Sequence, residues 1–149
     1  MNKYSMESQI TYSKASSIKI GDHLCINNFP CKCVNVSTSK TGKHGSCKCH
    51  FTGVDIVSGK KYEVIYSSTK DVPVPIITKK DYQLIDLVYE NDITYSSLYS
   101  MGQTIDHIKL PQNEMGEQIK NNFDKGDDLT ITVMSVLSNE IIVSFKINK

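Results

Sequence analysis

Cys31-Lys-Cys-Val-Asn-Val36, Ser37-Thr-Ser-Lys-Thr-Gly-Lys-His-Gly-Ser46 and Cys47-Lys-Cys-His-Phe-Thr-Gly-Val54 follow one another without a break. The outer two stretches alternate small apolar with polar residues, the period of a half-buried strand. The middle stretch is polar, and Gly42 and Gly45 bracket Lys43-His44 with backbone freedom. Two alternating strands around a glycine-bearing loop form a β-hairpin, and the loop over 37–46 projects from whatever the strands build.

Outward from that hairpin the same grammar repeats. Leu24–Ile26 and Tyr62–Tyr66 read as short strands, punctuated by Gly21-Asp22, Asn27-Asn28 and Ser58-Gly59. Close strand spacing with no helical period between them predicts a small antiparallel barrel. The first fifteen residues are polar and patternless and are expected to be a flexible tail. Asp71-Val-Pro-Val-Pro75 then removes two ladder donors and stiffens the chain, so it is expected to be a joint between two domains. Beyond it lie strand-like runs at Asp81–Val88, Ile93–Leu98 and Gln103–His107. A helix over Glu114–Asn122 follows, with Met115, Ile119 and Phe123 at i, i+4, i+8 and Gly126 ready to end it. Leu129–Leu137 and Ile141–Ile147, turning at Ser138-Asn139-Glu140, close the chain. Strands, one helix and more strands predict a five-stranded barrel of the OB type. The expected organisation is all-β with one short helix: tail 1–15, first barrel 16–76, OB-fold domain 77–149.

Composition agrees with a folded protein. Of 149 residues, 39% are hydrophobic and only 22% charged, which excludes a disordered chain. No apolar run approaches the roughly 20 residues that span a bilayer. The first nine residues carry a lysine with no apolar stretch behind it, so no signal peptide is expected. A cytoplasmic protein with access to the nucleus, and no membrane partner, is the expectation. The net charge of +1 hides an asymmetry: residues 1–76 hold 10 Lys against 5 acids, residues 77–149 hold 7 Lys against 11. A basic front half suits a polyanionic partner, or a solvated lysine face. All 17 basic residues are Lys, so phosphate contacts would be point-charge contacts, not bidentate forks.

Several chemistries can be set aside. Cys31-Lys-Cys33 and Cys47-Lys-Cys49 have one residue between cysteines, where zinc sites use two to four. That spacing puts both thiols on one face of a half-buried strand, and all five cysteines are expected to be reduced and metal-free. Gly42-Lys43 resembles the end of a phosphate-binding loop, yet Ser37 and His44 stand where that motif needs glycine and Ser/Thr. No nucleophile, base and carboxylate grouping can be picked out, so no catalytic residue is assigned. The physics of the hairpin leaves two readings: a solvated turn, or a basic probe for a phosphate-lined cleft.

The residues themselves carry a resemblance. Ser37-Thr-Ser-Lys-Thr-Gly-Lys-His-Gly45 is similar, nearly residue for residue, to the modification loop of the eukaryotic translation initiation factor 5A family. The likeness extends through Phe29-Pro-Cys-Lys32, Gly53-Val-Asp-Ile56, Ser58-Gly-Lys-Lys-Tyr62, Asp71-Val-Pro73 and Asp81-Tyr-Gln-Leu-Ile85. It is weaker through Leu110-Pro111, Met115-Gly116 and Leu129-Thr-Ile-Thr-Val133.

This resemblance implies an SH3-like barrel joined to an OB-fold. It implies that Lys43 receives an aminobutyl group from spermidine and is then hydroxylated to hypusine, the modifying enzymes being deoxyhypusine synthase and deoxyhypusine hydroxylase. It implies a non-enzyme that binds the ribosome at its exit-site region and large-subunit rRNA. There it would position the acceptor end of peptidyl-tRNA, relieve stalling at proline-rich sequences and aid termination. Ser39, Lys40, Thr41, Gly42, Lys43, His44, Gly45, Ser46 and Lys48 are the residues expected to meet RNA; His44 could equally cap the turn. Ser46 departs from the second histidine of many eukaryotic members, and Cys47 and Cys49 replace small apolar residues. The competing reading is a general single-strand RNA-binding OB-fold independent of lysine modification. It would use Tyr82, Tyr89, Tyr95, Tyr99 and Phe123, residues that fit a barrel wall as well.

Overall fold

The computed structural model describes residues 9–40 and 47–149. The chain divides into two compact units, one ending at Ile76 and the other beginning at Ile77.

In the first unit, β2 (His23–Ile26), β3 (Phe29–Lys40), β4 (Cys47–Asp55) and β5 (Lys61–Ser67) form an antiparallel sheet in that order, and β1 (Ile10–Lys14) pairs with β6 (Asp71–Pro75). Together they curl into the SH3-like barrel. Its core is Leu24, Ile26, Cys31, Cys33, Cys49, Phe51 and Val72, with Tyr62, Val64 and Tyr66 packed against it. Asn27 and Asn28, at φ 52° and 68°, make the tight turn between β2 and β3. Paired left-handed residues give the turn a twist that matches the strands, and Asn tolerates that conformation.

Three expectations need correction in this unit. Residues 10–14 are not tail but strand β1, in register from Ile10↔Pro75 to Lys14↔Asp71. The segment expected as a joint is therefore strand β6. Its prolines are tolerated because of their spacing. Ile76 donates its amide to Gln9 at 2.9 Å, so even-numbered residues of β6 turn their amides to β1 while Pro73 and Pro75 turn theirs away. Both missing donors fall on the unpaired edge. Finally, Ser37–Lys40 belong to strand β3 and not to the loop, because polar residues still pair through the backbone where both strand faces are wet.

In the second unit the sheet order is β11-β10-β7-β8-β9, from β7 (Thr78–Glu90), β8 (Ile93–Ser100), β9 (Gln103–Lys109), β10 (Leu129–Val136) and β11 (Asn139–Ile147). β9 also meets β11, which closes an OB-type barrel. Helix α1 (Glu114–Asp124) lies between β9 and β10 in the chain. Ile119 is fully buried in the core, flanked by Met115 and Phe123 on the expected face. Asn113 caps the helix by accepting the Gly116 amide at 3.2 Å. The last hairpin turns at Leu137-Ser138 (φ 44° and 68°), one residue earlier than the sequence suggested. A two-residue turn of left-handed residues suits the strand twist better than a three-residue link, even with leucine in it.

Candidate functional site

The site is built on the β3–β4 ladder, the longest arm of the first unit. A register shift between Cys33 and Asn35 bends β3, after which pairing runs without interruption: Val36↔Phe51, Ser37↔His50, Thr38↔Cys49, Ser39↔Lys48, Lys40↔Cys47. Of the residues expected to meet RNA, Ser39, Lys40 and Lys48 are therefore strand residues, all exposed. Thr41, Gly42, Lys43, His44, Gly45 and Ser46 lie outside the described residues.

Strand alternation sorts the described three onto two faces. Phe51 and Cys49 point into the core, and their partners Val36 and Thr38 share that side, so Lys40 and Cys47 share it too. Ser39 and Lys48 lie on the other, solvent side with Ser37 and His50. The sequence places Lys40 and Lys48 together in one basic cluster; the ladder separates them. Alternation along the sequence does not reveal this; it follows from the cross-strand register, in which Ser39 and not Lys40 faces Lys48.

The loop end of the arm is held from elsewhere. The Cys47 carbonyl accepts the Ser68 amide at 2.8 Å, and the Ser68 carbonyl accepts the Ser16 amide at 3.0 Å. Lys14 Nζ donates to the Thr69 carbonyl at 3.3 Å and forms an ion pair with Asp71 at 2.8 Å. The turn after β5, which no motif flags, thus ties β1 to the start of β4. At the opposite end of the ladder, buried Asp55 accepts from the Val57 amide (2.9 Å) and the Ser58 hydroxyl (2.7 Å), which fixes the turn into β5.

Electrostatics are lopsided. Among the described residues Lys32, Lys40, Lys48, Lys60 and Lys61 form no ion pair; Glu63 is engaged by His50 at 3.0 Å. Cys31, Cys33 and Cys49 are core residues and none of the five thiols is bridged. Burial pushes the Cys25 and Cys31 thiols up to about 11 and raises those of Cys33 and Cys49, which keeps them protonated and poor nucleophiles at neutral pH. No group of three or more His, Cys, Asp or Glu is gathered as for a metal ion among the described residues. No helix there is long and apolar enough to cross a membrane.

The aromatic residues of the second unit divide. Tyr82 and Phe123 pack on the core, as a barrel wall requires. Tyr89 and Tyr99 do not: they are 55% and 42% exposed, with Lys120 Nζ 5.2 Å from the Tyr89 ring centre. Tyr95 meets His107 edge-on at 5.8 Å.

Comparison with known proteins follows these two units. The family model described as translation initiation factor 5A-like, N-terminal, matches residues 8–70; that described as eukaryotic elongation factor 5A hypusine, DNA-binding OB fold, matches 76–146. The chain is 45% identical over 134 residues to eukaryotic translation initiation factor 5A-1 of Solanum lycopersicum, covering 89% of this chain and 83% of that one. It is 40% identical over 141 residues to the factor 5A-1 of Saccharomyces cerevisiae, covering 93% and 87%. A solved structure of a translation initiation factor eif-5a family protein from Naegleria fowleri superposes with TM-score 0.82 at 40% identity, over 93% of this chain and 99% of that one. The Methanococcus jannaschii factor 5A shares the fold, with TM-score 0.71 at 22% identity, over 93% and 96%. Both barrels and nearly the whole of the chain thus have their counterparts in one place, and the protein belongs to the eukaryotic translation initiation factor 5A family.

Proposed function

We propose that the protein acts on the ribosome as a non-catalytic translation factor, and that Lys43, converted to hypusine, is the group that acts. One observation carries this reading: the hypusine-loop sequence Ser37–Gly45 is set into the β3–β4 arm, whose last described pair is Lys40↔Cys47. An arm tied at its loop end to Ser68, and through it to Ser16, is suited to deliver a slender cation at a fixed reach from the barrel. Lys43 stands three residues from Lys40 and four from Cys47, with no acid in the connecting segment to neutralise it.

A polyamine arm brings positive charge among RNA phosphates where a whole protein loop would not fit. Against the acceptor end of peptidyl-tRNA, it would hold the reacting ester in a productive orientation. Restricting that motion lowers the entropic part of the barrier to bond formation. The gain is largest for residues such as proline that react slowly, and the same positioning serves termination. The ribosome stays the catalyst. Deoxyhypusine synthase and deoxyhypusine hydroxylase would act on Lys43, with spermidine as the aminobutyl donor, in the cytoplasm.

Exposed Tyr89 and Tyr99 favour the competing reading, an OB barrel that stacks single-stranded RNA. The acid excess of residues 77–149 opposes it. Intact mass of protein from its native cell, with the Lys43 peptide mapped, tests the proposal. Aminobutyl and hydroxyl additions on Lys43 are expected; an unmodified Lys43 throughout would refute it.

A further inference from the structure

We infer that only one side of the arm lies along RNA: the solvent face of β3, β4 and β5 is a phosphate-backbone track running to the Lys40–Cys47 end of the ladder, and the side bearing Lys40 is not. This rests on the ribosomal reading above and adds to it the surface used.

The register builds the track. Lys32, Val54 and Lys61 are partners across three strands, so the two lysines stand roughly 10 Å apart, two interstrand spacings, on either side of Val54. Six residues further along β4, about 20 Å, Lys48 shares the same face between Ser39 and Ser67. Lys32, Lys48 and Lys61 are all exposed, and none forms an ion pair among the described residues. Between them lie Ser37, Ser39 and Thr52, small hydroxyl side chains that can bond to phosphate oxygens without blocking a close approach. The one acid on this face, Glu63, is engaged by His50 at 3.0 Å.

The other side of the arm is built differently. Its residues run Phe51, Cys49, Cys47 on β4 and Val36, Thr38, Lys40 on β3, a strip continuous with the core and carrying one lysine. Charge complementarity therefore favours a polyanion on the solvent face. Phosphodiester backbone fits better than a protein partner, because the face offers spaced cations and hydroxyls with only Val34, Val54 and Ile65 as apolar area.

Lys48→Glu and Lys40→Glu make a matched test: adjacent ladder positions, equal charge change, opposite faces. Full-length variants, with Lys61→Glu as a third, would be purified from a host lacking the modifying enzymes, so that Lys43 is identical in all. Affinity for purified ribosomes is then measured from 50 to 200 mM salt. Lys48→Glu and Lys61→Glu should each weaken binding about tenfold and flatten the salt slope by roughly 0.7–0.9, one phosphate contact. Lys40→Glu should stay within about twofold of wild type. Thermal melting checks the fold, and Lys48→Gln replaces Lys48→Glu if the latter melts early. Equal loss from Lys40→Glu and Lys48→Glu, or unchanged slopes throughout, overturns the inference. Because Lys43 is untouched, that failure leaves the hypusine reading standing, and a failure at Lys43 would not mimic it.

Discussion

Ser68 donates its backbone amide to the carbonyl of Cys47 over 2.8 Å, although the two are twenty-one residues apart in sequence. The bond braces the loop end of the β3–β4 arm, and Ser16, just past the first strand and bonded in turn to the Ser68 carbonyl, makes that part of the chain a member of the same support.

Ser68→Pro removes the donor and should cost about 1–3 kcal/mol, the penalty for a backbone acceptor left short of its partner. Ser68→Ala keeps the amide and should stay within about 0.5 kcal/mol of wild type. Urea unfolding of the two variants checks this. Equal midpoints would mean the bond contributes nothing.

Gly116 sits in the first turn of α1 against the backbone of Pro111, and a Cβ there would lie 1.8 Å from the Pro111 carbonyl oxygen. Neither group is the flexible end of a side chain, so the helix must shift. Gly116→Ala should destabilise residues 77–149 by about 3 kcal/mol, despite alanine's better helix propensity. Denaturant unfolding followed by a probe in each unit would register it, with the first unit unaffected. A neutral or stabilising result would contradict the close packing.

Buried thiols set a pH dependence. Cys25 and Cys31 are raised from 9.0 to about 11 in the folded chain, so the native state holds its protons where the unfolded chain releases them. Their contribution is whole below about pH 9 and lost as pH rises toward 11. Urea midpoints under reducing conditions should fall between pH 8 and pH 10.5, and fall less in Cys25→Ala/Cys31→Ala. A flat profile would contradict it.

The cysteines should also carry no metal. Cys31, Cys33 and Cys49 point into an apolar core where one thiol follows another along a strand face. Metal analysis of pure protein is expected to show no stoichiometric zinc, and finding it would contradict this account of the C-x-C pairs.

Most of the architecture was legible because strand alternation and turn residues are local signals. The β3–β4 hairpin, the helix face of Met115, Ile119 and Phe123, and the five-stranded second barrel could all be read that way. What escaped was non-local. Nothing near Ile10–Lys14 announces a strand, since its partner lies 57 to 65 residues away and three of its five residues are exposed. Asp71–Pro75 reads as a break because prolines are judged singly, while their spacing of two places both defects on one edge. The basic cluster at the hairpin was visible as composition, but its division between faces appears only when the register is counted from Phe51. Exposure of Tyr89 and Tyr99 was equally hidden, because tyrosine fits a wall and a surface alike.

Lys43 is proposed to act through its modification. The direct measurement is translation of a proline-rich message in a reconstituted system, with modified wild type, Lys43→Arg and Lys60→Arg compared. Lys43→Arg keeps a positive charge but cannot accept the aminobutyl group, and exchanging one cation for another within the polar segment 37–46 should leave stability within about 0.5 kcal/mol. It is predicted to fold normally and fail to relieve stalling, while Lys60→Arg performs close to wild type. Rescue by Lys43→Arg equal to that of modified wild type would contradict the account.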